Sequence, residues 1–110
     1  MRWPVLRVAV AEWSMAPKLL PDDWLLVWRG MGRRGRPVRV SPGSVVIALN
    51  PKLPGMLVVK RAAWREPDGW WLTSDNPGAG AVDSFRFGPV APELIQGRVL
   101  CRYRRARRAP

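Results

Sequence analysis

Histidine is absent from this sequence, and cysteine occurs once, as Cys101. Without histidine the chain cannot build a Ser-His-Asp or Cys-His catalytic arrangement, and the usual His/Cys type of zinc site is excluded. A single cysteine excludes an internal disulfide, which fits a reducing compartment. If the chain is a hydrolase, its general base is therefore a carboxylate or a lysine. We expect no metal and no cofactor.

Acidic residues are also few, because eight Asp and Glu stand against nineteen Lys and Arg and leave a net charge of +11. Nucleic acid and acidic lipid headgroups are both candidate partners for such a charge. No apolar stretch approaches the roughly 20 residues of a membrane span. Residues 1–11 are too short, and too interrupted by Arg and Pro, for a cleavable signal peptide. We expect a cytoplasmic location, with contact to a membrane only at its periphery.

The residues that are present indicate one folded domain. Hydrophobic residues make up 47% of the chain and charged residues 25%, the balance of a globular protein. Twelve prolines and ten glycines divide the chain into short apolar runs, which are typical of strands. We predict a mainly β fold, a single small antiparallel coiled or barrel-like β-domain over residues 1–103. A basic C-terminal tail follows over residues 104–110.

The pattern of apolar runs and turn residues predicts where the strands lie. They are expected at residues 7–10, 24–28, 44–49, 57–62 and 95–103, with a hairpin over 64–72 that turns at 66–69 and a loop over 30–36. Ser14 lies on a turn, because Pro17 disfavours helix at the residue before it. Lys60 ends the strand over 57–62. Arg61 points to the opposite face, into water.

The turn around Ser14 carries the first specific motif. Residues 12–19 read Glu-Trp-Ser-Met-Ala-Pro-Lys-Leu, in which Ser14, Met15, Pro17 and Leu19 match the Ser-Met-x-Pro-x-Leu nucleophile box of bacterial type I signal peptidases. The chain thus resembles that family of serine proteases. The resemblance implies the fold of the signal-peptidase catalytic core, with Ser14 as the nucleophile.

Further boxes follow in the family's order along the chain. The acidic residue with its apolar strand (23–27), the Gly-x-x-Val segment (42–46) and the Lys-Arg pair that ends a strand (57–61) are all similar to family segments. The resemblance implies that Lys60 is the general base. It also implies a supporting last box made of Asp75, Asn76, Asp83, Ser84 and Arg86.

The chemistry of the residues agrees with this assignment. A serine hydroxyl needs a base, and without histidine the common protease solution is a lysine kept neutral by burial. The chain departs from the family at four positions. Ser44 replaces the aspartate of the family's Gly-Asp-x-Val segment, and Glu12 replaces a small residue or hydroxyl before the nucleophile. Ala81 replaces a serine that binds the lysine, and Phe85 displaces Arg86 by one position. The backbone N–H of Ser14 is then the expected oxyanion donor.

Two function classes follow from the sequence. The first is a serine endopeptidase with a Ser/Lys dyad that removes an N-terminal propeptide or signal-type peptide. The chain is short and contains the tripeptide Asp75-Asn76-Pro77, and in both respects it is most similar to nickel-type superoxide dismutase maturation proteases. The expected partner is therefore the dismutase precursor. A general signal-peptidase-like protease is the alternative. The second class is a catalytically inactive basic β-domain that binds nucleic acid or anionic surfaces. We expect no specific nucleic-acid partner for the protease.

Overall fold

The structure is a computed structural model that describes residues 4–30, 38–53, 55–79 and 82–105. Within these residues six strands form a single antiparallel sheet, and the helices are short. The elements in chain order are β1 (Val5–Ala9), β2 (Trp24–Trp28), β3 (Val45–Leu49), β4 (Leu57–Glu66), β5 (Gly69–Thr73), the helix α1 (Ser84–Phe87) and β6 (Ile95–Arg104). Single turns of 3-10 helix lie at Pro77–Ala79 and Pro92–Leu94. The predicted mainly β, antiparallel domain is confirmed.

The strand order across the sheet is β1-β2-β6-β3-β4-β5. The last strand in the chain, β6, therefore lies between β2 and β3 and joins the N-terminal hairpin to the β3–β4–β5 meander. Neighbours in the sheet run antiparallel throughout. The outer strands of the sheet are β1 and β5.

Both faces of the sheet are covered by apolar side chains. Successive residues of a strand point to opposite faces, and β3 shows this clearly, because Val46 and Ala48 join one buried cluster and Ile47 joins the other. The first cluster comprises Val46, Ala48, Val58, Ala62, Trp70, Leu72, Val90 and Ile95. The second comprises Val10, Met15, Leu19, Leu25, Val27 and Ile47.

The segment after β5 folds back along the outer edge of that strand. Trp70 and Val90 exchange two backbone hydrogen bonds of 2.8 Å, and the Leu72 N–H donates to the Ser84 hydroxyl over 2.7 Å. Gly69 begins β5 at a point of close approach, where an added Cβ would lie 2.1 Å from the Val90 carbonyl oxygen. The segment that carries α1 therefore closes this edge of the sheet.

All the predicted strands are present, the one over 24–28 with the predicted bounds and the others with shifted bounds. The predicted strand over 57–62 and the first arm of the hairpin form one ten-residue strand, β4, because the chain continues through an irregularity in its pairing between Ala62 and Trp64. Lys60 is therefore inside a strand and does not end one. The predicted loop over 30–36 falls largely on residues 31–37, and the tail largely on 106–110, outside the described residues. Within the described ranges no helix is long and apolar enough to cross a membrane.

Candidate active site

Ser14 lies in the turn-rich connection between β1 and β2, as predicted. Its side chain is buried, and the next residue, Met15, packs into the second apolar cluster. Local backbone hydrogen bonds shape the turn: the Ala16 N–H donates to Trp13 and the Leu19 N–H donates to Met15, each over 3.0 Å. Packing of Met15 thus anchors the serine against the sheet.

The loop after β5 binds the Ser14 segment through hydrogen bonds from Asn76. The Asn76 backbone N–H donates to the Ser14 carbonyl oxygen over 2.8 Å, and its side-chain Nδ2 donates to the Trp13 carbonyl oxygen over 3.1 Å. Asn76 was predicted to support the site, and its position links residues that are far apart in the sequence. The Ser14 backbone N–H donates to no acceptor among the described residues, so it remains available to an external oxygen.

Lys60 is the largest of the fully buried side chains and is 1% exposed. It shares a face of β4 with Val58 and Ala62, both members of the first cluster, and it is paired with Val46 on β3. Burial among these apolar groups lowers the pKa of the Lys60 amine, while the charges of Glu12 and Asp83 act in the opposite direction. The lysine therefore has the environment that a neutral amine requires.

Glu12 connects the two predicted catalytic residues. It is exposed and lies two residues before Ser14, and its carboxylate acts on the Lys60 pKa through its charge. The Ser14 segment therefore carries a charge that acts on Lys60. The structure contains no hydrogen bond between the Ser14 hydroxyl and the Lys60 amine. Catalytic hydrogen bonds are often long before substrate binds.

Asp83 and Ser84 form the junction between α1 and β5. The Asp83 side chain caps α1 by accepting from the Phe85 N–H over 3.1 Å, and its other oxygen accepts from the Ser74 N–H over 3.2 Å. The Ser84 hydroxyl is the acceptor for Leu72 described above. Both side chains are buried; Asp83 ties α1 to the start of the loop over 74–76, and Ser84 ties α1 to β5.

Arg86 does not join this group. It is exposed in the last turn of α1, and among the described residues it forms no ion pair with Asp83. Among the described residues, Arg86 therefore makes no contact that supports its predicted role in the last box. The physical reason is that the Asp83 carboxylate is directed to backbone N–H groups.

The ion pair of the site is instead Arg61–Asp75, which the sequence reading missed by placing Arg61 in water. Arg61 donates to both carboxylate oxygens of Asp75, over 2.9 Å from Nε and 2.8 Å from Nη2, and to the Gly43 carbonyl oxygen over 2.7 Å. The hydrogen bond from Arg61 lowers the pKa of Asp75, and the same bond raises the pKa of Arg61. The predicted turn at 66–69 does not give this pairing, because the irregularity between Ala62 and Trp64 shifts the β4–β5 register by one residue and so sets Arg61 opposite Thr73, with Asp75 two residues further on.

The described residues contain no group of three or more His, Cys, Asp or Glu side chains that could hold a metal ion. The chemistry available at the site is that of a buried amine, a buried hydroxyl and an unpaired backbone N–H. When the chain is compared with the models of known protein families and with curated proteins, no match is found.

The Arg61–Asp75 pair gives a test of how the site is held. Above the ordinary carboxyl pKa of about 3.9, the Asp75 carboxylate stabilises the fold, and this contribution is lost as pH falls through its lowered folded-state pKa. We expect Asp75→Asn to lower the free energy of unfolding by about 1–3 kcal/mol near neutral pH. The difference from the wild type should shrink below about pH 4. Urea denaturation across this pH range measures it.

Glu93→Gln is the matched control, since it removes the same charge from an exposed side chain. It should change stability by less than about 0.5 kcal/mol at any of these pH values. A loss for Asp75→Asn no larger than that of the control would mean that the pair does not hold the loop over 74–76.

Proposed function

We propose that this protein is a serine endopeptidase of the signal-peptidase kind, with Ser14 as nucleophile and Lys60 as general base. The observation that carries the proposal is the burial of the Lys60 side chain, which lowers its pKa beside the segment that contains Ser14. A buried lysine without an ion pair is costly to a fold. A role as general base explains why a lysine occupies this buried position, which apolar packing alone does not explain.

The proposed reaction follows ordinary acyl transfer. The neutral Lys60 amine takes the proton from the Ser14 hydroxyl as Oγ attacks the scissile carbonyl carbon, and the Ser14 N–H donates to the oxyanion that forms. The resulting Lys60 ammonium then gives its proton to the leaving amine. A water molecule, deprotonated by the same lysine, hydrolyses the acyl-enzyme. The rate should rise with pH as the free amine becomes populated.

The sheet leaves one edge for a peptide substrate. The outer edge of β5 is closed by Val90 and Ser84, whereas β1 pairs only with β2 among the described residues. Alternate residues of β1 direct their backbone groups to its free edge. The strand then leads directly into the Ser14 turn. An extended peptide added to β1 would be carried towards the nucleophile, with backbone hydrogen bonds supplying affinity.

The more specific proposal is that this protein matures nickel superoxide dismutase by removing the N-terminal propeptide of the dismutase precursor. The resemblance in the Asp75-Asn76-Pro77 tripeptide motivates it, and this tripeptide begins with the residues that bind Arg61 and hold the Ser14 segment. A general signal-peptidase-like activity on exported preproteins is the alternative within the same class.

The first prediction from this proposal concerns the dyad. Ser14→Ala, Lys60→Ala and Lys60→Arg should each lower kcat for peptide-bond cleavage by about 10⁴-fold or more, because nucleophile and base act as one unit and a guanidinium does not deprotonate. Lys60→Met, which keeps the length of the buried chain, tests the base without opening a cavity. Peptide cleavage followed by mass spectrometry measures the loss, and circular dichroism verifies the fold.

Ser41→Ala and Lys52→Ala are the matched controls, since both residues are exposed and lie away from the Ser14 segment. Both should cleave at the wild-type rate. Wild-type cleavage by purified Ser14→Ala would remove Ser14 from the mechanism.

The second prediction concerns the substrate. Incubated with a nickel superoxide dismutase precursor, the protein should cut one bond at the N-terminal extension and leave mature dismutase intact, because only a flexible tail can pair as an extra strand. Mass spectrometry of the products identifies the bond. The Ser14→Ala protein, incubated in parallel, controls for contaminating proteases. An uncut precursor together with efficient cutting of Ala-x-Ala signal peptides would move the chain to the general signal-peptidase class.

A further proposal concerns attachment to an anionic membrane, and a specific surface favours it. Strands β1, β2 and β6 contain no Asp or Glu, and one face of each is turned away from the second cluster. We call this surface the outer face. Its cross-strand neighbours form three rows: Val5, Trp28 and Arg98; Arg7, Leu26 and Cys101; Ala9, Trp24 and Arg104. Arginine and tryptophan together suit a lipid headgroup layer.

Two triple variants with equal net charge test this surface. Arg7→Gln, Arg98→Gln and Arg104→Gln together should weaken binding to phosphatidylserine vesicles about 100-fold, at about 1 kcal/mol per arginine. Lys52→Gln, Arg65→Gln and Arg86→Gln, away from the outer face, should weaken it far less. If both triple variants lose the same amount of vesicle affinity in a sedimentation assay, total charge and not the outer face accounts for the binding. Tighter binding to a single-stranded oligonucleotide than to vesicles would favour the nucleic-acid module.

A further inference from the structure

The Ser74 hydroxyl is buried and has no hydrogen-bond partner among the residues that the structure describes. Ser74 directly follows β5, and its backbone N–H donates to the Asp83 carboxylate over 3.2 Å. A buried hydroxyl without a partner destabilises the fold, and such groups in native proteins call for an explanation. The environment of this hydroxyl supplies one.

The β4–β5 register sets Ser74 opposite Lys60. Arg61 pairs with Thr73, so the next position of an antiparallel ladder pairs Lys60 with Ser74. The alternation of faces holds beyond the end of β5, because the Asp75 side chain reaches Arg61 on the opposite face from Lys60. Ser74 therefore shares a face with Lys60, where directly opposed residues have Cβ atoms about 4.5–5.5 Å apart.

The remaining neighbours of Lys60 offer its amine little else. Val46, Val58 and Ala62 are apolar, and the charged groups that act on the amine are Glu12, from the Ser14 turn, and Asp83, the cap of α1. The amine itself forms no hydrogen bond or ion pair to any residue that the structure describes. Ser74 is bound through its backbone to Asp83. The loop that carries the orphan hydroxyl is thus attached to one of the two charges that act on Lys60.

We propose that Ser74 is a positioning residue, whose hydroxyl oxygen accepts a hydrogen bond from the Lys60 amine and so turns the amine lone pair towards Ser14. The proposal rests on the proposed protease function for its catalytic consequence, but not for the hydrogen bond itself. The family resemblance places a lysine-binding hydroxyl at the position of Ala81, which has none. Ser74 supplies that group from the adjacent hairpin.

The test of the hydrogen bond does not need activity. The chain has three lysines, Lys18, Lys52 and Lys60, so the full-length protein carrying 13C-labelled lysine gives few signals to follow in an NMR pH titration. An acceptor stabilises the ammonium more than the neutral amine. We therefore expect Ser74→Ala to lower the titration midpoint of Lys60 and to leave those of Lys18 and Lys52 in place.

Two variants separate this effect from a general change of structure. Ser74→Thr keeps the hydroxyl and should keep the Lys60 midpoint near that of the wild type. Thr73→Val removes a hydroxyl one residue away, on the face of Arg61, and should leave the midpoint unchanged. If Ser74→Ala does not fold, Ser74→Cys is the second variant, since it keeps nearly the same volume and replaces the hydroxyl with a weak acceptor. An unchanged Lys60 midpoint in the folded variant overturns the proposal.

The catalytic consequence is measured separately. Ser74→Ala should lower kcat about 10- to 100-fold with little change in KM, as expected when a catalytic group is misplaced by a small distance. Its pH–rate profile should move to lower pH together with the NMR midpoint. Ser74→Thr should recover most of the rate. Cleavage by Ser74→Ala with wild-type kcat and an unchanged pH profile overturns the positioning role and leaves the Ser14–Lys60 proposal standing. If the Lys60 midpoint shifts in Ser74→Ala but the wild-type protein cleaves no peptide, the protease proposal is overturned and the hydrogen bond is supported.

Discussion

The antiparallel pairing of β4 with β5 is the constraint on which the candidate site depends. Because neighbouring residues of a strand face opposite ways, this register directs Lys60 into the first cluster and Arg61 towards Asp75 on the other face. A slip of one residue would exchange the two cations and place a guanidinium in the core. The bidentate Arg61–Asp75 pair opposes such a slip, since it ties the strand to the loop that follows β5.

Three consecutive residues of that loop, Ser74, Asp75 and Asn76, each make a different contact. Ser74 is turned to the face of Lys60 and binds Asp83 through its backbone. Asp75 holds Arg61, and Asn76 holds the Ser14 segment by two hydrogen bonds. Residues that are about sixty positions apart in the chain are thereby joined through one short connection. A change in the hairpin would displace the serine and the lysine together.

Burial of Lys60 carries an energetic cost that depends on pH. Its pKa is lowered mainly by desolvation, so over the range between the folded and unfolded pKa values the unfolded chain binds the proton more tightly. The cost is therefore largest at low pH and disappears as pH rises towards the ordinary lysine pKa. Glu12 and Asp83 reduce it by favouring the ammonium. Two apolar clusters on opposite faces of the sheet supply the burial that offsets the rest.

The class of the fold and the candidates for chemistry could be predicted from the sequence alone. Short apolar runs broken by proline and glycine predicted an antiparallel β-domain, since that pattern is local and each strand carries it. The absence of histidine left lysine or a carboxylate as the only bases, and the turn at Ser14 followed from Pro17.

Which of these side chains come together depends on the tertiary structure. The burial of Lys60, the pairing of Arg61 with Asp75 instead of water, the exposure of Arg86 and the orphan hydroxyl of Ser74 all depend on the β4–β5 register and on the return of α1 along β5. The physical reason is that burial and charge pairing are set by neighbours distant in the chain. The alternation of residues along one strand does not specify them.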